Sequence, residues 1–280
     1  MAAGVTTHFR YVDPPVRDMR HTPGARDERH GHADRPLIVI HGLGCSSDAW
    51  LPAVRDIARS GLYGRIIAPD LPGSGRSDKR HKVFSIDETS DWLSAFMEAL
   101  GIPSADVAGQ SLGCQVALAL ARNHPNRVES LTLVGPTTGR SLEGFWRYAA
   151  GLAADAIFEP AAYNVCLASM YRQMGIVRYL RTVRKMLQDK PLDDVSMILQ
   201  PCLVLRGEYD QIVPERVARE LAEMLPAGQY RGLKKCAHAL QFERPQDFTA
   251  MQRCFLIARD QVRCVPIEAR ATAPQAARAR

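Results

Sequence analysis

The sequence predicts an α/β fold, a mostly parallel sheet with helices on both faces and one helical insertion. Strand-type and helix-type segments alternate along most of the 280 residues. The central strand candidates are continuous apolar runs, as strands buried on both faces must be. The alternation stops between Pro136 and Leu199 and then resumes.

In order, residues 1–6 are expected to be a flexible start, and Thr7–Val12 alternates polar and apolar side chains, as an edge strand does. A polar loop follows, containing Pro14, Pro15 and Pro23. Leu37–Ile40 is a fully apolar strand, and Asp48–Arg59 is a helix with Trp50, Val54, Ile57 and Ala58 as its apolar positions. Arg65–Ala68 is the next strand, ending in the glycine-rich loop Asp70–Gly75. Ser85 followed by Glu88 is a capping box that starts a helix running to Leu100, where Gly101 and Pro103 stop it. Strands at Ala105–Ala108 and Leu131–Val134 flank a helix rich in alanine and leucine.

The segment 136–199 is mostly helical and rich in aromatic residues and methionine, and it is expected to cap the C-terminal edge of the sheet. Cys202–Leu205 restarts the sheet, followed by helix 214–224, strand 229–233 and helix 245–258. The expected division is a core of residues 7–135 and 200–262, a cap of 136–199, and a basic tail of 263–280.

Composition narrows the function classes. Hydrophobic residues make up 46% and charged residues 24%, ordinary for a soluble protein. No apolar run approaches the roughly 20 residues a membrane span needs. Met1–His8 lacks the features of a secretory leader, and seven cysteines without CxxC spacing suit reduced thiols in a cytoplasmic protein. The net charge of +6 concentrates in Arg17–Arg35 and Arg270–Arg280, which read as solvated segments rather than nucleic-acid or membrane surfaces. His30 and His32 have no cysteine or carboxylate at ligand spacing, so no metal site is expected.

The chemistry centres on Gly109-Gln110-Ser111-Leu112-Gly113, placed where a strand gives way to a helix. A turn that tight strains its central residue and presents the hydroxyl to a substrate, while the glycines let strand and helix cross. Serine needs a base, and the base needs a group that fixes its tautomer. His238, on a loop after the last strand, is the candidate base; His41 competes, but its place before Gly42-Leu43-Gly44 suits shaping that loop. Asp210 is the candidate acid, with Glu208 suited to bracing the same loop and Asp70 a weaker alternative. Backbone N–H groups of Leu43 and Leu112 are the candidate oxyanion donors.

These motifs, with Asp70–Ser77, occur in an order that resembles the α/β-hydrolase superfamily over roughly residues 7–260. The resemblance implies an eight-stranded, mostly parallel sheet, a cap between its sixth and seventh strands, and no required cofactor. Epoxide hydrolases and haloalkane dehalogenases of this fold use aspartate where this chain has Ser111. The meta-cleavage C–C hydrolases usually carry tryptophan after the catalytic histidine and proline in the oxyanion loop; here Ala239 and Cys45 stand there.

The expected activity is hydrolysis of a small-molecule ester, lactone or thioester through an acyl-enzyme. The alternatives are a C–C hydrolase of vinylogous diketones, and a ligand receptor with little turnover. Phe145, Trp146, Met170 and Met174 are candidate substrate-pocket residues of the cap. Arg178, Arg181, Arg184 and Lys185 share one helical face, either solvated or a dock for an acyl carrier such as coenzyme A or a carrier protein.

Overall fold

The computed structural model describes residues 4–13, 35–80, 82–137 and 145–263, with side chains at 145–148 and 262–263 outside that description. Residues 14–34 and 264–280 also lie outside it, so the basic segments, His30 and His32 are placed by sequence alone.

The strands are β1 (Phe9–Val12), β2 (Pro36–Ile40), β3 (Arg65–Pro69), β4 (Ala105–Gln110), β5 (Val128–Val134), β6 (Cys202–Gly207) and β7 (Gly228–Leu233). They form one sheet in the order β1-β3-β2-β4-β5-β6-β7, with β1 antiparallel to β3 and every other pair parallel. Seven strands among the described residues replace the eight expected, so the helical insertion follows the fifth strand rather than the sixth. The difference lies at the N-terminal edge, where β1 pairs directly with β3 as the outermost strand.

Period-two alternation in β2 explains the layering. Ile38 and Ile40 pack on one face with Trp92, Leu93 and Phe96 of helix α2 (Ile86–Ala99) and Val116 and Leu120 of α3 (Leu112–Asn123). Leu37 and Val39 face the other way, toward Val54 and Ile57 of α1 (Leu51–Ser60) and Phe248 and Leu256 of α9 (Pro245–Arg263). Trp50 meets Phe248 edge to face at 5.5 Å between centroids. Burying side chains of this size contributes ~1.5–3 kcal/mol each. The Ser85–Glu88 capping box forms at the start of α2, satisfying two N–H groups the helix cannot pair itself.

Helices α4 (Phe145–Phe158), α5 (Ala161–Met174) and α6 (Ile176–Gln188) form the insertion between β5 and β6. Helix α7 (Glu215–Met224) follows β6, and the single turn α8 (Leu240–Glu243) precedes α9. Among the described residues no helix is long and apolar enough to cross a membrane.

Strand register fixes where the chemistry collects. Ile40 pairs with Gly109, Gly109 with Leu133, and Val134 with Leu205, so β2, β4, β5 and β6 end level. The loops that follow therefore leave from one edge of the sheet, which is where open parallel sheets place their ligands.

Candidate active site

Ser111 stands between β4 and α3 with φ 55° and ψ −117°, a backbone state that costs a non-glycine residue about 1–3 kcal/mol. Its neighbours enforce that state. A Cβ on Gly109 would stand 2.4 Å from the Gly113 carbonyl oxygen, and one on Gly113 would stand 2.4 Å from that of Ile40. The Ser111 N–H donates to Val134 O at 2.9 Å, tying the turn to the adjacent strand. Ser111 is 4% exposed and lines a cavity of about 40 Å³.

His238 lines the same cavity. Its Nδ1 lies 2.8 Å from Asp210 Oδ2, and its buried Nε2 has no hydrogen-bond partner among the described residues. Asp210 Oδ1 accepts the N–H groups of Ile212 and Val213 at 2.9 and 2.8 Å, which leaves Oδ2 for the imidazole. Arg206, which the sequence reading passed over, donates to the carbonyls of Val213, Asp210 and Glu208 and so holds the whole acid loop. Its planar fork suits three carbonyls curled around one point. Burial opposes a charge on His238, but the facing carboxylates of Asp210, Asp155 and Glu159 outweigh it and raise the imidazole to about 9.

The competing candidates sit elsewhere. His41 accepts the Leu71 N–H on Nε2 at 3.0 Å and lies 2.8 Å from Gly42 O on Nδ1, a pattern that requires the neutral Nδ1–H tautomer. Burial keeps it neutral by lowering its pKa against the pull of Asp70. Asp70 accepts N–H groups from Ser47 and Arg76 and pairs with His8. Glu208 accepts the Lys235 N–H at 2.9 Å, bracing the acid loop from outside. Cys45 also lines the cavity, but burial pushes its thiol up to about 12, so it is not a thiolate near neutrality.

Leu43 and Leu112 flank the serine. Neither backbone N–H donates to an acceptor among the described residues. Leu112 opens α3, so its N–H also carries the positive end of the helix dipole. A Cβ on Gly42 would stand 2.4 Å from Gln110 Oε1 and 3.3 Å from Ser111 Cβ, so a side chain there would have to displace the buried Gln110 amide.

The insertion closes over this edge. Tyr171 of α5 lies against Gly44, where a Cβ would meet the ring at 2.4 Å. On α4, Asp155 Oδ1 accepts the Gln211 N–H at 3.0 Å, and Glu159, in the loop just after α4, accepts the Ala239 N–H on Oε1 at 2.6 Å. These N–H groups belong to the residues immediately following Asp210 and His238. Both carboxyls are buried, and burial together with the Asp155 charge raises Glu159 to about 8. Neither acid was singled out in the sequence, where two acids four residues apart resemble any solvated helix face.

The predicted pocket residues divide. Met174 lines a second cavity on the other side of Leu43, of about 30 Å³, together with Leu112, Phe84 and Lys185. Met170 lies behind the site, its sulfur accepting the Ser46 N–H at 3.2 Å. The side chains of Phe145 and Trp146 lie outside the described residues. The basic face of α6 also divides: Arg181 and Arg184 are exposed, Arg178 donates to Lys79 O, and Lys185 lines the second cavity. Among the described residues no three His, Cys, Asp or Glu side chains cluster as a metal site.

Comparison with known proteins bears on this arrangement. A family model described as the alpha/beta hydrolase fold matches residues 35–141. The chain is 28% identical over 264 residues to a 2-hydroxymuconate semialdehyde hydrolase of Pseudomonas putida, covering 85% of this chain and 92% of that one. Among solved structures, Est816, titled as an N-acyl homoserine lactone degrading enzyme, superposes with TM-score 0.72 at 22% identity, covering 91% of this chain and 98% of that one. The enol-lactonase from Burkholderia xenovorans LB400 does so with TM-score 0.71 at 22% identity and the same coverage. With that sheet order, a matching family model and solved structures superposing along most of their length, the chain has the α/β-hydrolase fold, and its sequence is similar to hydrolases of that fold.

Proposed function

We propose that the protein hydrolyses a small ester, lactone or thioester through an acyl-enzyme formed on Ser111. The observation that carries this reading is the pairing of His238 with Asp210 at 2.8 Å on the wall of the cavity that Ser111 lines. Ser111 Oγ attacks the substrate carbonyl and passes its proton to His238 Nε2. Asp210 holds the imidazole through Nδ1 and stabilises the imidazolium that results. The tetrahedral oxyanion settles on the Leu43 and Leu112 N–H groups, each worth ~3 kcal/mol of barrier lowering. His238 then returns the proton to the leaving group, and a water activated by the same imidazole releases the acid. No metal or organic cofactor is called on.

Two walls are available to the substrate. The second cavity, lined by Leu71, Val83, Phe84, Ile86 and Met174, suits an apolar group on one side of the scissile bond. The first cavity carries the polar groups on the other side. The test is Ser111→Ala with p-nitrophenyl butyrate as substrate. A drop in kcat of about 10⁶ is expected, and unchanged turnover overturns the reading.

Cleavage of a C–C bond in a vinylogous diketone is the second reading. It is favoured by the likeness to hydrolases named for 2-hydroxymuconate semialdehyde and 2-hydroxy-6-oxo-2,4-heptadienoate. Lys185 in the second cavity is a basic group suited to a carboxylate of such a substrate. Comparing kcat/KM for a dienoate of that type with simple esters separates the two.

A further inference from the structure

We infer that the cavity beside Ser111 receives a substrate carrying an ammonium group, with Asp155 and Glu159 as its countercharge and Gln110 Oε1 as an added acceptor. The inference rests on the ester-hydrolase reading and specifies the substrate for it.

The cavity is one-sided in chemistry. Its titratable lining includes Asp155, Glu159 and His238, and no lysine or arginine among the described residues lines it. His238 is held by Asp210 and also faces Asp155 and Glu159, so one imidazolium serves three carboxyls. Asp155 and Glu159 lie within hydrogen-bond reach of each other and share only that imidazolium. The groups around Glu159 are Asp155, His238, Cys45, Tyr163 and Cys236, and only His238 among them can carry a positive charge.

The acceptors are already oriented. One oxygen of each carboxyl is fixed by a backbone N–H, Gln211 for Asp155 and Ala239 for Glu159. Glu159 Oε2 is buried with no N–H or hydroxyl donor against it among the described residues, and the Asp155 carboxyl lies within hydrogen-bond reach of Glu159, so the two acids can share one proton. Glu159 itself is 92% removed from solvent. Independently, Gln110 Oε1 is buried without a partner, on a side chain 2% exposed that lines the same cavity. Leaving such an atom unpaired in the interior is unfavourable, more so for a charge, so a donor group entering the cavity supplies what that atom lacks. An ammonium supplies that charge, with N–H donors where it is not fully alkylated.

Tyr163 and Tyr171 also line the cavity, beside the apolar Leu152, Ala156, Leu167 and Ile212. Aromatic faces beside carboxylates attract a cation through the ring quadrupole and strengthen when water is excluded. Burial and the neighbouring Asp155 charge favour a proton on Glu159 against the opposing pull of His238. A bound ammonium should displace that proton.

The experiment uses three p-nitrophenyl esters of equal reach. One is the 6-ammoniohexanoate, one its uncharged isostere heptanoate, and one the mono-ester of heptanedioic acid. In the wild-type protein kcat/KM should be about tenfold or more higher for the cation than for the isostere, with the anion lowest. The cation-to-isostere ratio should fall toward one in an Asp155→Asn, Glu159→Gln double variant, whose amide oxygens still accept the two loop N–H groups. A wild-type ratio of one or below, or a ratio unchanged in the double variant, overturns the inference. A binding arm stands apart from turnover: pentylammonium added to wild type at pH 7.5 should release protons, read as a buffer-dependent calorimetric heat. Binding with proton release but no ester cleavage would refute the hydrolase reading and keep the subsite. Ester cleavage without cation binding would do the reverse.

Discussion

Gly135 lies directly against the His238 ring. A Cβ at this position would stand 2.7 Å from both Nδ1 and Cε1 and 3.1 Å from Asp210 Oδ2. The residue has φ +54°, so a side chain there is disfavoured by the backbone as well as by the ring.

Gly135→Ala should therefore act on the imidazole before it acts on the fold. Backbone strain costs ~1–2 kcal/mol of stability. The larger effect is on turnover, since a displacement of about 1 Å at the base costs on the order of 10²-fold. Steady-state kinetics with p-nitrophenyl butyrate, alongside a thermal melt, check this. A kcat within twofold of wild type would show that His238 is not positioned from below.

The pH dependence follows from the crowd of carboxylates around His238. The imidazole must be neutral to take the serine proton, and with its pKa raised to about 9, kcat/KM should climb through the alkaline range. Asp155→Asn removes one of the charges that raise it and should move the limb to lower pH.

Stability carries the opposite sign. The folded state holds more protons than the unfolded state between the ordinary histidine pKa of about 6.5 and about 9, and Glu159 adds to this from its ordinary carboxyl range up to about 8. The melting temperature should fall as pH rises across that window, less steeply in Asp155→Asn. A flat profile would count against the charged imidazole.

Away from the site, Arg259 of α9 pairs with Asp106 of β4 at 2.6 Å, both side chains 1% exposed, and Ser130 donates to the same oxygen. Arg259→Met leaves that carboxyl buried without its cation. A loss of about 3–5 kcal/mol is expected by urea denaturation. Replacing Asp106 by Asn in the same protein should recover part of it. Equal stability of wild type and Arg259→Met would mean that the pair contributes nothing.

The parts legible in the sequence were those with a local cause. The elbow needs two glycines around a serine, the capping box needs Ser85 and Glu88, and the unbroken apolar run of β2 marks a strand buried on both faces. Asp210 was chosen over Glu208 by its place in the loop, and the structure sets it beside His238. What stayed hidden depends on contacts between distant segments. Asp155 and Glu159 look like a wet helix face until Gln211 and Ala239 arrive, and Arg206 in an apolar strand gives no sign of the three carbonyls it gathers. Met170 suited a pocket by type, yet the docking of α5 turns its sulfur toward Ser46.

The cavity of about 40 Å³ beside Ser111 has room for roughly three water molecules in its enclosed part and opens to solvent beyond it. Asp155 of α4 and Glu159 just after it hold Gln211 and Ala239, the residues that follow Asp210 and His238. The helix that walls the cavity is thereby tied to both the acid loop and the base loop, so a change in the insertion is felt by the two partners of Ser111 together.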